Sequence, residues 1–275
     1  MLIIMNIQEA LKLAKILANE AQILLSKVLN VDKSYLIAWP EKMLTDAQLK
    51  QFNDDCARRE AGEPIAYILG EKEFYSLKLK VTADVLIPRP ETELLVDLTQ
   101  EKLNDVASPR VLELGTGSGA VAIALAFNQA SWDITALDES EAALGVAQYN
   151  AKQHDCTQIR WRQSDWFEGL QSETFDVIVS NPPYIDPEDP HLSDGDVRFE
   201  PDTALVSAEQ GYADLKQIIS SAPKYLSTGG WLLLEHGYQQ GQKVQHLLQK
   251  VGFCEIFTQN DLAGHPRVSY GRWLP

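Results

Sequence analysis

Residues 110–127 read RVLELGTGSGAVAIALAF and pass through three kinds of local structure in succession. The apolar run 110–114 predicts a buried strand, and the apolar stretch 120–127 predicts a helix. The turn between them holds three glycines, which allow backbone N–H groups to approach a ligand closely. The stretch therefore predicts a strand–turn–helix unit whose turn binds a ligand.

The chain on the C-terminal side of this unit continues to alternate strand and helix. A helix is predicted at 141–152, and further strands are predicted at 133–137, 159–163, 175–180, 231–235, 253–258 and 268–273. Strands separated by helices form parallel βαβ units with right-handed crossovers, so we predict an α/β fold with a doubly wound, mostly parallel sheet of seven strands. The last two strands are joined only by the turn-prone stretch 259–266, which makes one of them antiparallel.

The N-terminal part of the chain has a different pattern. Apolar residues at helical spacing predict one or two amphipathic helices over 6–29, and Thr45-Asp46-Ala47-Gln48 has the form of a capping box that opens a helix ending at Gly62. From Phe74 the apolar period changes to two, which predicts a short hairpin, and a further helix is predicted over 94–103. We therefore predict a helical domain at 1–73, a hairpin linker at 74–90 and the α/β domain at 91–275.

The composition favours some classes of protein over others. The net charge is -15 with a pI near 4.7, and residues after 75 carry -13 of it, which disfavours a protein that grips nucleic acid through lysine and arginine. Cys56, Cys156 and Cys254 have neither metal-ligand nor redox spacing. The apolar start, residues 1–5, is short and lacks a basic leader, and no apolar run is long enough for a membrane span. We expect a cytoplasmic protein with no metal and no membrane partner.

Polar and aromatic groups follow consecutive predicted strands. Asp138 follows the second strand, where an acidic side chain can accept hydrogen bonds from both hydroxyls of a ribose. Asp165 and Trp166 follow the third strand and offer a polar group and an aromatic surface for a purine. The turn is G-x-G-x-G and not the dinucleotide fingerprint G-x-G-x-x-G. The pattern predicts an adenosine site without a required phosphate, with the turn residues Gly115, Thr116, Gly117, Ser118 and Gly119.

Each of these features also has a simpler structural explanation. The glycines can serve only a tight strand-to-helix connection, Asp138 can cap a helix, and Trp166 can belong to the core. The complementary groups at three consecutive strand ends favour the binding site over three separate structural roles.

Asn181-Pro182-Pro183-Tyr184 follows the apolar run 177–179, with only Ser180 between them. Neither proline can donate a ladder hydrogen bond, so the chain must leave the sheet here. The tetrapeptide presents an amide side chain, a backbone carbonyl and an aromatic ring, which together suit the binding of a planar NH2 group. The alternative is a Pro-Pro loop that only ends the strand.

These motifs, in this order, resemble the S-adenosylmethionine-dependent methyltransferases of the Rossmann-like class that modify planar nitrogens. Over essentially its whole length the chain resembles, more specifically, the bacterial peptide chain release factor glutamine methyltransferases. The segments that carry this resemblance are Arg59-x-x-Gly62-Glu63-Pro64, Tyr67-Ile68-x-Gly70, Glu73-Phe74, Leu86-Ile87-Pro88-Arg89-Pro90-Glu91-Thr92-Glu93 and Asp261-Leu262-Ala263-Gly264-x-x-Arg267-Val268.

The resemblance implies a function and a set of site residues. The family methylates the side-chain amide nitrogen of the glutamine in the Gly-Gly-Gln motif of class I release factors, with S-adenosylmethionine as donor and S-adenosylhomocysteine as product. It implies a class I methyltransferase domain with a small N-terminal helical domain that recognises the substrate. By this resemblance the methyl donor binds to Gly115–Gly119, Asp138, Asp165, Trp166 and Asn181. The substrate binds to Asn181, Pro182, Pro183 and Tyr184. The resemblance implies that Asn181, Pro182 and Tyr184 are catalytic.

We expect the Asn181 side-chain oxygen and the Pro182 carbonyl to accept the two hydrogens of the glutamine NH2 group, while Tyr184 packs against the amide plane. Arg89 and Glu91 either pair at the site entrance or form an ordinary surface salt bridge. Three other functions stay open: methylation of a glutamine in a large-subunit ribosomal protein, methylation of an exocyclic amine of adenine or guanine, and a nucleotide-binding module without activity.

Overall fold

The computed structural model describes residues 5–275. The first four residues, part of the apolar start of the chain, lie outside that range. The chain divides into two compact units. One holds the residues up to Glu71 together with Ser193–Phe199, and the other holds Lys72–Leu192 and Glu200–Pro275.

The first unit is helical. Its helices are α1 (Ile7–Leu13), α2 (Ala18–Leu29), α3 (Lys33–Ala38), α4 (Asp46–Glu60) and α5 (Ile65–Leu69). The amphipathic stretch predicted over 6–29 thus forms two helices, with extended backbone at Ala14 and Leu17 between them. The helices enclose one core that includes Ile7, Leu24, Leu25 and Phe52.

The predicted capping box at Thr45 is confirmed. The Gln48 N–H donates to Thr45 Oγ1 at 3.2 Å, and the Thr45 N–H donates to Gln48 Oε1 at 2.9 Å. Helix α4 ends at Glu60, and Gly62 follows with a φ of +97°, a conformation that favours glycine. Helices α3 and α5 were not predicted, because six and five residues are too few to establish a helical period.

The second unit contains the predicted hairpin and sheet. A two-stranded sheet pairs β1 (Glu71–Phe74) with β2 (Leu77–Lys80). A seven-stranded sheet follows, formed by β3 (Arg110–Leu114), β4 (Asp133–Asp138), β5 (Arg160–Gln163), β6 (Phe175–Ser180), β7 (Leu226–Glu235), β8 (Cys254–Asn260) and β9 (Pro266–Arg272). Its helices are α6 (Glu93–Lys102), α7 (Ala120–Asn128), α8 (Glu141–Gln153), α9 (Ala208–Gly211), α10 (Ala213–Ser221) and α11 (Gly241–Val251).

The strand order is β5-β4-β3-β6-β7-β9-β8, and β9 runs antiparallel to both of its neighbours. This confirms the α/β fold and the antiparallel pairing of the last two strands. The chain winds from β3 to β5 on one side and continues through β6 and β7 on the other. In such sheets, ligands bind outside the carboxyl ends of the strands where the winding reverses. Here that point lies between β3 and β6.

The start predicted for the strand at 231 is wrong, since β7 already begins at Leu226. Gly229 and Gly230 hid this extension, because glycine ordinarily weakens a strand. A Cβ on Gly230 would lie 3.0 Å from the Ser227 carbonyl oxygen and 3.1 Å from that of Phe175. The glycine is therefore needed where backbones approach closely. Within residues 5–275, no helix is both long and apolar enough to cross a bilayer.

Candidate active site

A cavity of about 390 Å³ opens at the carboxyl ends of β3, β4, β5 and β6. Nine of the twelve residues predicted for the site line it: Gly115, Thr116, Gly117, Ser118, Asp138, Asp165, Trp166, Asn181 and Pro183. Gly119, Pro182 and Tyr184 do not line it. The structure thus brings groups from four strand ends into one site, at the point where the winding of the sheet reverses.

The glycine turn after β3 has a distinct geometry. Gly115, Gly117 and Gly119 have φ values of +66°, +55° and +82°. A Cβ on Gly119 would lie 2.8 Å from Ile123 Cδ1 and 3.0 Å from Ala147 Cβ, whereas a Cβ on Gly117 would meet nothing within 4 Å. Gly119 therefore serves the packing of α7 against α8, and Gly117 belongs to the open side that faces the cavity.

Glu113 holds the glycine turn from within β3. Its Oε2 accepts hydrogen bonds from Thr116 Oγ1 at 2.6 Å and from the Ala122 N–H at 3.1 Å. Burial raises the pKa of Glu113 to about 8, although both hydrogen bonds act in the opposite direction. We did not predict this role. The signal was present in the sequence, as one acidic residue inside an apolar strand.

Asp138 holds the same turn from β4. Its Oδ2 accepts a hydrogen bond from the Gly117 N–H at 2.8 Å, and its Oδ1 accepts one from the Ser140 N–H at 2.9 Å. Ser140, and not Asp138, is the N-cap of α8. Burial raises the pKa of Asp138. Each carboxylate oxygen keeps a second lone pair, so the side chain can still accept hydrogen bonds from a ligand in the cavity.

Trp166 has a φ of +41°, which is uncommon for a bulky residue. Its ring lies near Gly115, whose Cβ, if present, would be 3.6 Å from Trp166 Cζ3. The Ser164 hydroxyl supports this conformation, because it donates to the Trp166 carbonyl at 3.0 Å and accepts from the Gly169 N–H at 2.7 Å. Such strained residues occur mostly at functional sites.

Acidic side chains outnumber cationic ones in the lining of the cavity. Its only cationic lining residue within the described part of the chain is Arg89, whose guanidinium pairs with the buried carboxylate of Glu200. The acidic lining residues are Asp84, Glu113, Asp138, Glu139, Asp165 and Asp214, of which Glu113 holds a proton at neutral pH because of its raised pKa. Such a lining favours a cationic ligand and disfavours a phosphate.

Arg89 pairs with Glu200 and not with Glu91. Glu200 also accepts a hydrogen bond from the Ile87 N–H at 2.9 Å, so it fixes the backbone of this segment as well as the guanidinium. The salt bridge is therefore partly buried and part of the cavity wall. The local pattern could not reveal this partner, because it lies more than a hundred residues further along the chain.

The loop that begins at Asn181 is held on both sides. The Asn181 Nδ2 donates to Thr92 Oγ1 at 3.2 Å, and no group in the described part of the chain donates to its Oδ1. The Tyr184 N–H donates to the Leu205 carbonyl at 3.2 Å, and Gln240 Nε2 donates to the Tyr184 carbonyl at 3.1 Å. The amide oxygen of Asn181 is therefore an acceptor that this loop leaves available.

Tyr184 lines a second cavity and not the main one. Its hydroxyl donates to Glu235 Oε1 at 3.4 Å, and burial together with the Glu235 carboxylate raises the Tyr184 pKa. Burial also raises the pKa of Glu235, to about 7. The Tyr184 ring packs against the core on one face of the sheet and lines a second cavity of about 820 Å³, together with Tyr212, Tyr238 and Arg267.

A left-handed turn packs against the loop that begins at Asn181. Glu209, Gln210 and Gly211, which fall within α9, have φ values of +56°, +62° and +80°, so this element is a left-handed turn and not a regular helix. A Cβ on Gly211 would lie 2.2 Å from the Tyr184 carbonyl oxygen, so only glycine permits this contact. We did not predict this turn, because neither hydrophobic periodicity nor a motif marks it.

Two family models match the chain: the PrmC N-terminal domain over residues 4–70 and the methyltransferase small domain over residues 90–193. A release factor glutamine methyltransferase of Vibrio cholerae is 48% identical over 93% of this chain and 90% of its own length. One of Aliivibrio fischeri is 46% identical over 93% of this chain and 90% of its own length. The chain belongs to the release factor glutamine methyltransferase family. It is therefore an enzyme of the methyltransferase class.

A solved structure supports the fold of this family member. A methyltransferase from Pyrococcus furiosus superimposes with a TM-score of 0.54 at 17% identity, covering 81% of this chain and 100% of the other. At that identity the likeness concerns the fold alone.

Proposed function

We propose that this enzyme transfers a methyl group from S-adenosylmethionine to the side-chain amide nitrogen of the glutamine in the Gly-Gly-Gln motif of class I release factors. The names of its relatives support the substrate. The observation that carries the chemistry is the orientation of Asn181, whose Nδ2 is bound to Thr92 and whose Oδ1 has no donor in the described part of the chain. An available acceptor at this position suits a substrate NH2 group.

The residues of the cavity fit the proposed donor. Asp138 accepts the ribose hydroxyls through its remaining lone pairs, and Trp166 provides an aromatic surface beside Gly115 for the adenine. The acidic lining complements a ligand that carries a positive charge and no phosphate. S-adenosylmethionine, when bound, supplies an electrophilic methyl group on a positively charged sulfur.

Asn181 and Pro182 position the substrate. A primary amide is a poor nucleophile, because its nitrogen lone pair is delocalised into the carbonyl group. Two acceptors, Asn181 Oδ1 and the Pro182 carbonyl oxygen, orient the NH2 group and stabilise the positive charge that develops on its nitrogen. Such orientation contributes several kcal/mol, on the order of 7 or more in well-aligned intramolecular reactions. The methylated nitrogen then loses its proton, a step that demands no general base from the chain.

We propose that residues 1–73 recognise the release factor. Large apolar side chains are exposed on this unit, among them Leu13, Leu17, Ile37, Trp39 and Met43. These are the side chains of this unit that are available for apolar contact with another protein. The cytoplasm, where translation takes place, is the compartment that this substrate implies.

Donor carrying a labelled methyl group distinguishes the candidate substrates. The protein is incubated with a purified class I release factor, with large-subunit ribosomal proteins, and with DNA or RNA. We expect label in the release factor alone. Label in a nucleic acid would contradict the proposal and favour an exocyclic amine as acceptor, and label in a ribosomal protein would move the activity to that substrate. Donor binding without transfer to any of them would contradict the enzymatic function.

A further inference from the structure

We propose that Thr92 and Glu235 are positioning residues, which orient the Asn181 amide so that Oδ1 and not Nδ2 faces the substrate. The inference rests on the proposed function, because it concerns the same NH2 acceptor site. Nothing in the chemistry described so far uses Glu235, although a buried carboxylate at the end of a central strand costs desolvation energy.

The three side chains meet at one point of the sheet edge. Strands β6 and β7 are paired with Ser180 opposite Leu234, so Asn181 and Glu235 are the next residues on adjacent strands. Thr92 comes from the turn that precedes α6, and its hydroxyl accepts the hydrogen bond from Asn181 Nδ2 at 3.2 Å. Thr92 is 5% exposed and Glu235 is 1% exposed, so water competes little for either side chain.

The number of hydrogens on the Thr92 hydroxyl and on the Glu235 carboxylate decides which group donates in each contact. A threonine hydroxyl has one hydrogen, and because Thr92 Oγ1 accepts from Asn181, that hydrogen is free for another acceptor. Glu235 Oε2 is buried and accepts no hydrogen bond in the described part of the chain, so it is the acceptor to which the Thr92 hydrogen can turn. A carboxylate can only accept. Glu235 therefore keeps the Thr92 hydroxyl turned away from Asn181, and Asn181 can offer only its NH2 group to Thr92.

A reversed amide would oppose the reaction. If the Thr92 hydroxyl donated to Asn181 instead, Asn181 Oδ1 would be occupied and its Nδ2 would face the substrate NH2 group. Two hydrogen-bond donors would then face each other, and no hydrogen bond could form between them. Neighbouring groups decide whether Glu235 is charged, because they shift its pKa. Arg267, Thr92 and the Tyr184 hydroxyl favour the carboxylate, whereas burial and Glu91 disfavour it.

Four variants test the proposal. Glu235→Gln can donate to Thr92 and so reverse the direction of the contacts, and Thr92→Val removes the hydroxyl. We expect each to lower kcat by about tenfold to a hundredfold, the effect of a lost hydrogen bond to a buried or charged group. Their affinity for S-adenosylmethionine, measured by calorimetry, should stay near that of the wild type. Thr92→Ser keeps the hydroxyl and should recover most of the turnover that Thr92→Val loses.

The fourth variant, Asn181→Asp, separates orientation from general damage. An aspartate presents acceptors in either orientation, so Glu235→Gln should lower kcat much less in that background than in the wild type. The pH profile gives a second readout. As pH falls through about 7, Glu235 gains a proton and becomes able to donate, so wild-type kcat should fall on the acidic side, whereas Glu235→Gln should lack this limb.

The outcomes separate the two proposals. An active wild type with an equally active Glu235→Gln variant would overturn the positioning role, as would an equal loss in the Asn181→Asp background. A wild type that binds the donor and methylates no release factor would contradict the proposed function itself. The NMR signal of the Asn181 side-chain NH2 group tests the contact without substrate. We expect this group to be protected from hydrogen exchange in the wild type and in Thr92→Ser, and to lose the protection in Thr92→Val. Equal protection in all three proteins would contradict the contact between Asn181 and Thr92.

Discussion

Asp138 shows how one side chain can serve structure and binding together. It fixes the glycine turn through the Gly117 N–H and the start of α8 through the Ser140 N–H, yet it still lines the cavity. The sequence offered ribose binding and helix capping as alternatives. The structure assigns the cap to Ser140 and leaves Asp138 with lone pairs directed to neither backbone group. Ribose binding therefore stays a prediction that a single substitution can test.

Asp138→Ala should weaken the binding of S-adenosylmethionine by about tenfold to a hundredfold, because hydrogen bonds to a charged group contribute roughly 1.5–3 kcal/mol. Titration calorimetry measures this directly. Glu141→Gln is the matched control, since Glu141 is an exposed acidic residue on the first turn of α8 and does not line the cavity. Equal affinities for the wild type and Asp138→Ala would contradict the role of this carboxylate.

At the scale of elements, local signals were sufficient where the interaction itself is local. The capping box at Thr45 and the strand–turn–helix unit at 110–127 depend on residues close in sequence, and both form as predicted. The left-handed turn at 209–211 depends on a backbone contact with Tyr184, which lies far away in the sequence. No local pattern could reveal it. The same reason hid the roles of Thr92 and Glu235.

Gly211→Ala should displace the loop at Tyr184, because its Cβ would lie 2.2 Å from the Tyr184 carbonyl oxygen. We expect a stability loss of about 2–5 kcal/mol, the strain of a positive φ together with the overpacking, and a marked fall in kcat with little change in donor affinity. Denaturant unfolding and steady-state kinetics measure the two effects.

Gly264→Ala is the matched control, since Gly264 has a φ of +85° and its Cβ would meet nothing within 4 Å. This variant has the conformational strain of a positive φ without the clash. It should therefore lower the free energy of unfolding by about 1–2 kcal/mol and leave kcat near the wild-type value. Similar turnover in the two variants would show that the contact with Tyr184 does not matter for catalysis.

At the scale of the whole molecule, the sheet order explains why distant motifs form one site. The carboxyl ends of β3 and β6 are adjacent because Leu114 pairs with Ser180, which brings the glycine turn and Asn181 together. The alternation of strands and helices predicted a doubly wound sheet. The insertion of β9 between β7 and β8 could not be read from the pattern, since pairing partners of strands are set by long-range packing.

The pH dependence of folding offers a test of the buried charge behind the glycine turn. The pKa of Glu113 is about 8 in the folded protein against an ordinary value of 4.5, so the folded state holds a proton that the unfolded state loses. This contribution to stability is complete below pH 4.5 and is lost as pH rises through about 8. Relative to Glu113→Gln, the wild type should lose roughly 1 kcal/mol per pH unit between about pH 6 and 8.

Urea unfolding of the two proteins at several pH values measures the difference. Both hydrogen bonds at Glu113 go to Oε2, so the single carbonyl oxygen of a glutamine can accept both, and the variant preserves the geometry of the turn. A difference in the free energy of unfolding that does not vary with pH would contradict the raised pKa.

The central claim is that Asn181 presents an acceptor to a glutamine side chain of a release factor. Mass spectrometry of a class I release factor after reaction, with fragmentation to locate the added methyl group, tests it most directly. The wild type should place one methyl group on the side-chain nitrogen of the glutamine in the Gly-Gly-Gln motif, and Asn181→Ala should reduce turnover by about 10²–10³-fold. A methyl group on any other residue, or undiminished methylation by Asn181→Ala at saturating donor and substrate, would contradict the account.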